Sequence, residues 1–212
     1  MLLWINGPFG GGKSQTAREL HSRLPGSLIC DPELLGFGLH RMLPPQLRGD
    51  FQDFPAWRQG VYEVLDLTLR SAGGTVIAPM TLIDPAYFTE IIGRLTDAGH
   101  DVRHFALLAD RRVIERRLRE RAIVHAIQRM RGQAVPLFRG TFAMSKLDLC
   151  LSRLSQREFA TQLQTDHLTV PQVAEAIAAS SGLELGRHRG SAVSNRIRLA
   201  SRGLRHALTR AI

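Results

Sequence analysis

Cysteine is nearly absent from this chain of 212 residues: Cys30 and Cys150 are its only two, with neither CxxC spacing nor a histidine cluster beside them. That removes the sequence support for a disulfide framework or a zinc site, and it fits a reducing, cytoplasmic setting. No uninterrupted apolar run approaches the roughly 20 residues that span a bilayer. The opening MLLWINGPFGGGK runs from a short apolar stretch into glycines, not from a basic segment into a cleavable apolar one, so no signal peptide is expected. Lysine is scarce too, since only Lys13 and Lys146 interrupt an arginine background among 28 basic residues. Acidic residues are missing from residues 187–212, which carry seven arginines. Without that segment the formal charge of +9 falls to +2, from 21 basic and 19 acidic residues. The body is therefore nearly neutral, which argues against a nucleic-acid partner.

What is present is an alternation of patterns. Short apolar, β-rich runs at Leu2–Asn6, Ser27–Cys30, Thr75–Pro79, Val102–Leu108 and Gln162–Thr165 predict five strands. Helical patterns cover Lys13–Leu24, Glu33–Met42, Ala56–Ser71, Pro85–Ala98, Arg111 to about Ala126, Ala143–Leu154 and Pro171–Ser181. Strands alternating with helices predict an α/β fold of three layers, a five-stranded parallel sheet covered on both faces.

Between the first strand and first helix, Gly7-Pro8-Phe9-Gly10-Gly11-Gly12-Lys13-Ser14 matches GxxxxGK[ST] in full, in the context that gives this motif its meaning. Glycines let the backbone curl so that successive N–H groups and the helix N-terminus face phosphate oxygens. Lys13 adds a mobile positive charge, and the Ser14 hydroxyl is the expected magnesium ligand. Gly7, Phe9, Gly10, Gly11, Gly12, Lys13, Ser14 and the following Gln15 are accordingly the expected ATP-binding residues, Lys13 also serving in catalysis.

In an open α/β sheet, ligands lie beyond the carboxyl ends of the strands. The residues there are Asp31, Met80 with Thr81, Asp110, and Asp166, the last expected beside the nucleotide. Asp31, in Asp31-Pro32-Glu33, could orient or deprotonate an acceptor hydroxyl, or hold magnesium through water. Asp before Pro is equally a good helix N-cap, and the two roles are compatible. The third strand ends at Met80-Thr81 without the carboxylate that many such proteins use for magnesium. Thr81 could serve through its hydroxyl, Asp31 or Glu33 could substitute through water, or the site could bind ATP and transfer nothing.

Arg111, Arg112, Arg116, Arg117, Arg119 and Arg121 crowd the helix after the fourth strand. Arg117 and Arg121, four apart on one face, suit a basic lid over about residues 117–144 that neutralises transition-state charge; a solvated face paired with Glu115 and Glu120 is the plainer alternative. Arg129, Arg131 and Arg139 extend the basic stretch. Aromatics are only 6% of the chain, yet Phe51, Phe54, Trp57 and Tyr62 gather near Gln52, Pro55 and Arg58. Phe54 or Trp57 could stack on a substrate ring while Arg58 reaches a polar group, or the rings could be core contacts of a long helix.

Beyond residue 186, Val193, Ile197, Ala200, Leu204, Ala207, Leu208 and Ala211 fall on one helical arc, with Arg198, Arg202, Arg205 and Thr209 opposite. Such a segment suits an anionic membrane surface, a docked helix or a disordered arm. The expected organisation is a domain over 1–186 with a basic amphipathic tail at 187–212.

Taken together, the chain resembles the ATP-binding tunicamycin resistance proteins of bacteria, a P-loop family with the fold of small-molecule and nucleoside monophosphate kinases. The resemblance rests on Trp4-Ile5-Asn6-Gly7 with Phe9-Gly10 and Gly12-Lys13, Gln15-Thr16-Ala17, and Asp31-Pro32-Glu33 followed by Gly36-Phe37. It continues through Phe51-Gln52, Pro55, Trp57-Arg58, Pro79-Met80-Thr81, Pro85, Tyr87-Phe88 and Glu90-Ile91-Ile92-Gly93-Arg94-Leu95. It closes with Arg117-Leu118-Arg119, Arg121-Ala122 and Gln164-Thr165-Asp166. It implies ATP-dependent resistance to a uridine-containing nucleoside antibiotic, by phosphorylating or by sequestering it. From their positions after the strands and in the aromatic cluster, Asp31, Glu33, Phe54, Trp57, Arg58, Met80 and Thr81 are the residues expected near that substrate. The resemblance also implies peripheral attachment to the inner membrane face through the tail. The stretch Ala122 to Met144 departs from the family in being longer than its lid. A metabolic kinase acting on a nucleotide or sugar acid is the remaining reading.

Overall fold

A computed structural model of the chain describes residues 1–130, 144–156 and 160–187. Five strands, β1 (Leu2–Asn6), β2 (Leu28–Ile29), β3 (Val76–Pro79), β4 (Val102–Leu108) and β5 (Thr161–Gln164), form one sheet in the order β2-β3-β1-β4-β5, every neighbouring pair parallel. Side chains alternate across a strand, so the wholly apolar start of β1 serves two cores. Leu2 and Trp4 join Val76 and Ala78 against Trp57, Val61, Leu65, Ile91 and Leu95. Leu3 and Ile5 join Ile77, Phe105 and Leu107 against Ala17, Leu20, Val173, Ala174 and Ile177. The three-layer expectation is met because both faces of β1 are fully buried.

The helices are α1 (Lys13–Arg23), α2 (Glu33–Met42), α3 (Pro55–Ser71), α4 (Pro85–Phe88), α5 (Arg94–Asp97), α6 (Arg111–Met130), α7 (Leu147–Leu154) and α8 (Val170–Ser180). Asp84 caps α4 by accepting from the Ala86 and Tyr87 N–H groups at 2.8 and 3.3 Å, with Pro85 at the first position. Thr169 and Gln172 make a reciprocal capping box on α8. The helix expected over Pro85–Ala98 is interrupted by a π-helical turn at Thr89–Gly93, where the adjacent Ile91 and Ile92 both enter the core.

Two other expectations shift. Strand β2 is reduced to two residues whose side chains are exposed, because it forms the sheet edge and pairs only with β3. Helix α6 continues to Met130, beyond the expected end near Ala126. The remainder of the expected lid, including Arg131 and Arg139, and the tail after Arg187 lie outside the described residues. No described helix is long and apolar enough to cross a membrane.

Candidate active site

The loop after β1 is held open by backbone geometry that glycine makes cheap. Gly10 has φ +82°, and a Cβ there would lie 3.1 Å from Leu118, so α6 packs directly on the loop. A Cβ on Gly7 would meet the Leu107 carbonyl at 2.9 Å. Phe9 anchors the loop's outer side among Ile114, Leu118 and Leu147. Helix α1 then starts at Lys13 with no acidic residue in its first turn and no side chain capping it, which leaves its N-terminal amides to a ligand. Ser14 and Gln15 are exposed there.

Lys13 is buried, and its Nζ donates to the Gly7 and Pro8 carbonyls at 2.9 and 3.1 Å, 5.5 Å from the centre of the Phe9 ring. Burial lowers its pKa to about 8, against the raising influence of Glu33, Cys150 and Asp31, while Arg121 lowers it further. Two of its three N–H donors are thus spent on the loop and one remains for an incoming oxygen. This donor set fits a nucleotide's phosphates. Among the described residues no group of three or more His, Cys, Asp or Glu is placed to hold a metal ion. Of the loop residues, Ser14 carries a hydroxyl that could hold a magnesium ion beside the phosphates.

Asp31 leaves the edge of the sheet at the end of β2. Its Oδ1 accepts from the Glu33 N–H at 3.0 Å, so the capping role is present. Burial, then the like charge of Glu33, raise its pKa to about 6 against the opposing pull of that amide, Lys13 and Arg18. Lys13 and Asp31 each feel the other's charge, which puts the first loop and the end of β2 around one space.

The other expected residues divide. Thr81 is buried at the end of β3, and its hydroxyl donates to the Gly7 carbonyl at 2.8 Å. Arg58 is locked: Nε donates to Glu90 at 2.6 Å, a terminal nitrogen donates to the Gln52 carbonyl at 2.6 Å, and the guanidinium lies 4.3 Å from the Tyr87 ring centre. Trp57 and Met80, expected against substrate, are core side chains, at 0% and 2% exposure. Trp57 Nε1 donates to the Pro32 carbonyl at 3.0 Å, so the ring braces the start of α2 instead of offering an open face. Phe54 is half-buried against the same core.

On the opposite side, Arg117 is half-buried and donates to the Thr165 carbonyl at 2.8 Å, while Asp166 accepts from the Asp110 N–H at 2.6 Å. These bonds tie the end of β5 to the start of α6. Burial lowers the Arg117 pKa. Arg121 is exposed, close enough to Lys13 for their charges to interact. Three contributors escaped the sequence reading. Asn6 is a polar residue ending an apolar strand, which was a usable signal. Arg18 near Asp31, and Cys150 of α7 near Lys13, are brought in by tertiary packing alone.

A parallel 2-3-1-4-5 sheet with a complete phosphate loop after β1 defines a P-loop kinase-like protein. Residues 2–137 match the family model described as an AAA domain. The solved structure of the Deinococcus radiodurans tunicamycin resistance protein is 35% identical, covers 88% of this chain and 98% of its own, and superposes with a TM-score of 0.69. The chain belongs to this P-loop kinase-like family of tunicamycin resistance proteins. A sugar kinase from Janibacter sp. (14% identity, 86% and 94% coverage, TM-score 0.58) shares the fold. So does the APS kinase of Mycobacterium tuberculosis (15%, 85% and 96%, 0.54). No curated protein sequence matches it.

Proposed function

We propose that the chain transfers a phosphoryl group from ATP to a hydroxyl of tunicamycin or a similar nucleoside-type small molecule. The observation that carries this is the pairing of a buried Lys13, with one donor to spare beside the helix N-terminus, with Asp31, whose pKa of about 6 suits a base. The loop amides and Lys13 bind the phosphates and fix the donor. Ser14 is the protein's ligand for magnesium, which when bound neutralises phosphate charge. Asp31 accepts the proton of the acceptor hydroxyl as the oxygen attacks, Glu33 keeps that carboxylate basic, and Arg121 faces the developing charge. Arg117, bonded to Thr165, fixes where α6 stands over the site. The name of the 35%-identical relative supports the antibiotic as acceptor.

The test is mass spectrometry of tunicamycin incubated with the protein and Mg-ATP, with Lys13→Ala as control. A product heavier by one phosphoryl group, absent with the variant, is expected. Unmodified antibiotic that co-elutes with the protein would instead establish ATP-dependent sequestration. That second reading draws on a specific observation: β3 ends at Pro79 and is followed by Met80 and Thr81, where no carboxylate is offered to a metal. Residues 1–186 would form the catalytic unit, closed by a lid over about 117–144. The basic amphipathic segment 187–212 would hold the protein on an anionic membrane surface.

A further inference from the structure

The two peptide units that flank the Gly7 Cα are each gripped by a buried side chain that the phosphate loop motif does not include. On one side, Asn6 Oδ1 accepts from the Gly7 N–H at 2.8 Å and also from the Leu82 N–H at 3.1 Å. The Asn6 Nδ2 donates to the Leu82 carbonyl at 2.6 Å and meets His104 Nε2 at 3.1 Å. Its amide is fully used, at 0% exposure. On the other side, the Gly7 carbonyl accepts from the Thr81 hydroxyl at 2.8 Å and from Lys13 Nζ at 2.9 Å. The end of β3 and the entry to the loop are therefore one hydrogen-bonded unit, built at the strand end that lacks a carboxylate.

We infer that Asn6 and Thr81 are positioning residues for the nucleotide's phosphates: by holding the peptide units before and after Gly7 they fix where the Gly7 carbonyl stands and so aim the ammonium of Lys13, whose one unspent N–H then points at a phosphate oxygen. The inference rests on the nucleotide reading of the loop and adds residues outside it. The Gly7 and Pro8 carbonyls are the two acceptors that hold Lys13 in place. Without the Thr81 hydroxyl the Gly7 carbonyl would keep Lys13 as its single side-chain donor, and the Gly7–Pro8 peptide that anchors Lys13 would lose a restraint. Thr81 thereby serves the phosphate site through Gly7, not by contact with a ligand. Because the two side chains act on adjacent peptide units that share the Gly7 Cα, their effects are not additive.

The experiment measures binding of Mg-ATP and of adenosine by calorimetry to the full-length protein and to Thr81→Val, Thr81→Ser, Asn6→Asp and the Val/Asp double variant. Thr81→Val is expected to weaken ATP about tenfold, the scale of one buried hydrogen bond lost. Adenosine, which makes no demand on Lys13, keeps its affinity; Thr81→Ser restores ATP binding; the double variant loses little more than the worse single one. ATP binding by Thr81→Val within twofold of the wild type, or equal losses for ATP and adenosine, overturns the inference while leaving the nucleotide reading intact. Should Asn6→Asp fail to fold, the valine and serine variants at position 81 decide alone. Wild-type protein that binds no ATP overturns both.

Discussion

Replacing Asp31 with Asn should stabilise this protein at neutral pH while abolishing its turnover. The carboxyl sits at a pKa of about 6 where 3.8 is ordinary, because burial and then Glu33 oppose its charge. At about 1.36 kcal/mol per pH unit, that displacement is a penalty on the order of 3 kcal/mol on the folded state once the group is ionised. The side chain is partly accessible, so solvent screening reduces the figure, to roughly 1–2 kcal/mol. The sign follows from the raised value. Below the unfolded pKa both states hold the proton and there is no penalty; between there and about 6 the unfolded chain ionises while the folded one resists; above 6 the penalty is complete. Asn cannot ionise, yet its side-chain oxygen can still accept from the Glu33 N–H, so the start of α2 stays capped. Thermal melts of Asp31→Asn and the wild type should coincide near pH 4 and diverge to a plateau above about pH 6.5. The variant should then be higher by about 2–8 °C, taking about 2–4 °C per kcal/mol for a chain of this size. A variant that melts at or below the wild type at pH 8, or a difference that does not change with pH, would refute the reasoning.

Lys13, at a pKa of about 8, is largely neutral at pH 8.5 in the free protein, and phosphate oxygens favour its charged form. ATP binding at that pH should take up roughly half a proton or more; calorimetry in two buffers of different ionisation enthalpy would show none if the lysine were already charged. Gly36→Ala places a Cβ 2.5 Å from the Phe51 ring, which is wedged against Trp57 with ring centres 5.4 Å apart. The cost should be about 1–3 kcal/mol of stability with ATP affinity unchanged, and combining it with Phe51→Leu should recover part of the loss in a denaturant titration. Deleting residues 190–212 should abolish sedimentation with anionic vesicles while leaving ATP binding intact; equal sedimentation of the truncated protein would remove the tail as the anchor.

Where the sequence was readable, one short-range rule governed the outcome. The spacing Gly7 to Ser14 fixes a loop between a strand and a helix, and the unbroken apolar run Leu2, Leu3, Trp4, Ile5, whose side chains enter the two cores in turn, fixes a sheet covered on both faces. Composition failed where partners came from far along the chain. Trp57 and Arg58 look like ligand contacts as an aromatic and basic pair. The indole is instead spent on Pro32 and the guanidinium on Glu90 and Gln52, and nothing local announces those partners. Arg117 reads as a lid residue by charge and is a tie to Thr165 by geometry. Asp31 was legible as both cap and base, but its raised pKa depends on burial, which appears only with the packed fold.

That raised pKa also bears on the choice between turnover and sequestration. A binding site needs shape and satisfied polar groups; it gains nothing from a carboxylate held where ionisation is penalised. A base does gain, since a carboxyl with a pKa near 6 accepts a proton more readily than one near 4 and is still ionised at neutral pH. Thr81 at the end of β3 does not oppose this. Its hydroxyl is engaged with Gly7, in the arrangement that holds Lys13, so the strand end serves the phosphate site through the loop. Asp31→Asn therefore separates the two readings by product formation: a kinase loses its phosphorylated product while keeping ATP, and a sequestering protein holds the antibiotic as before.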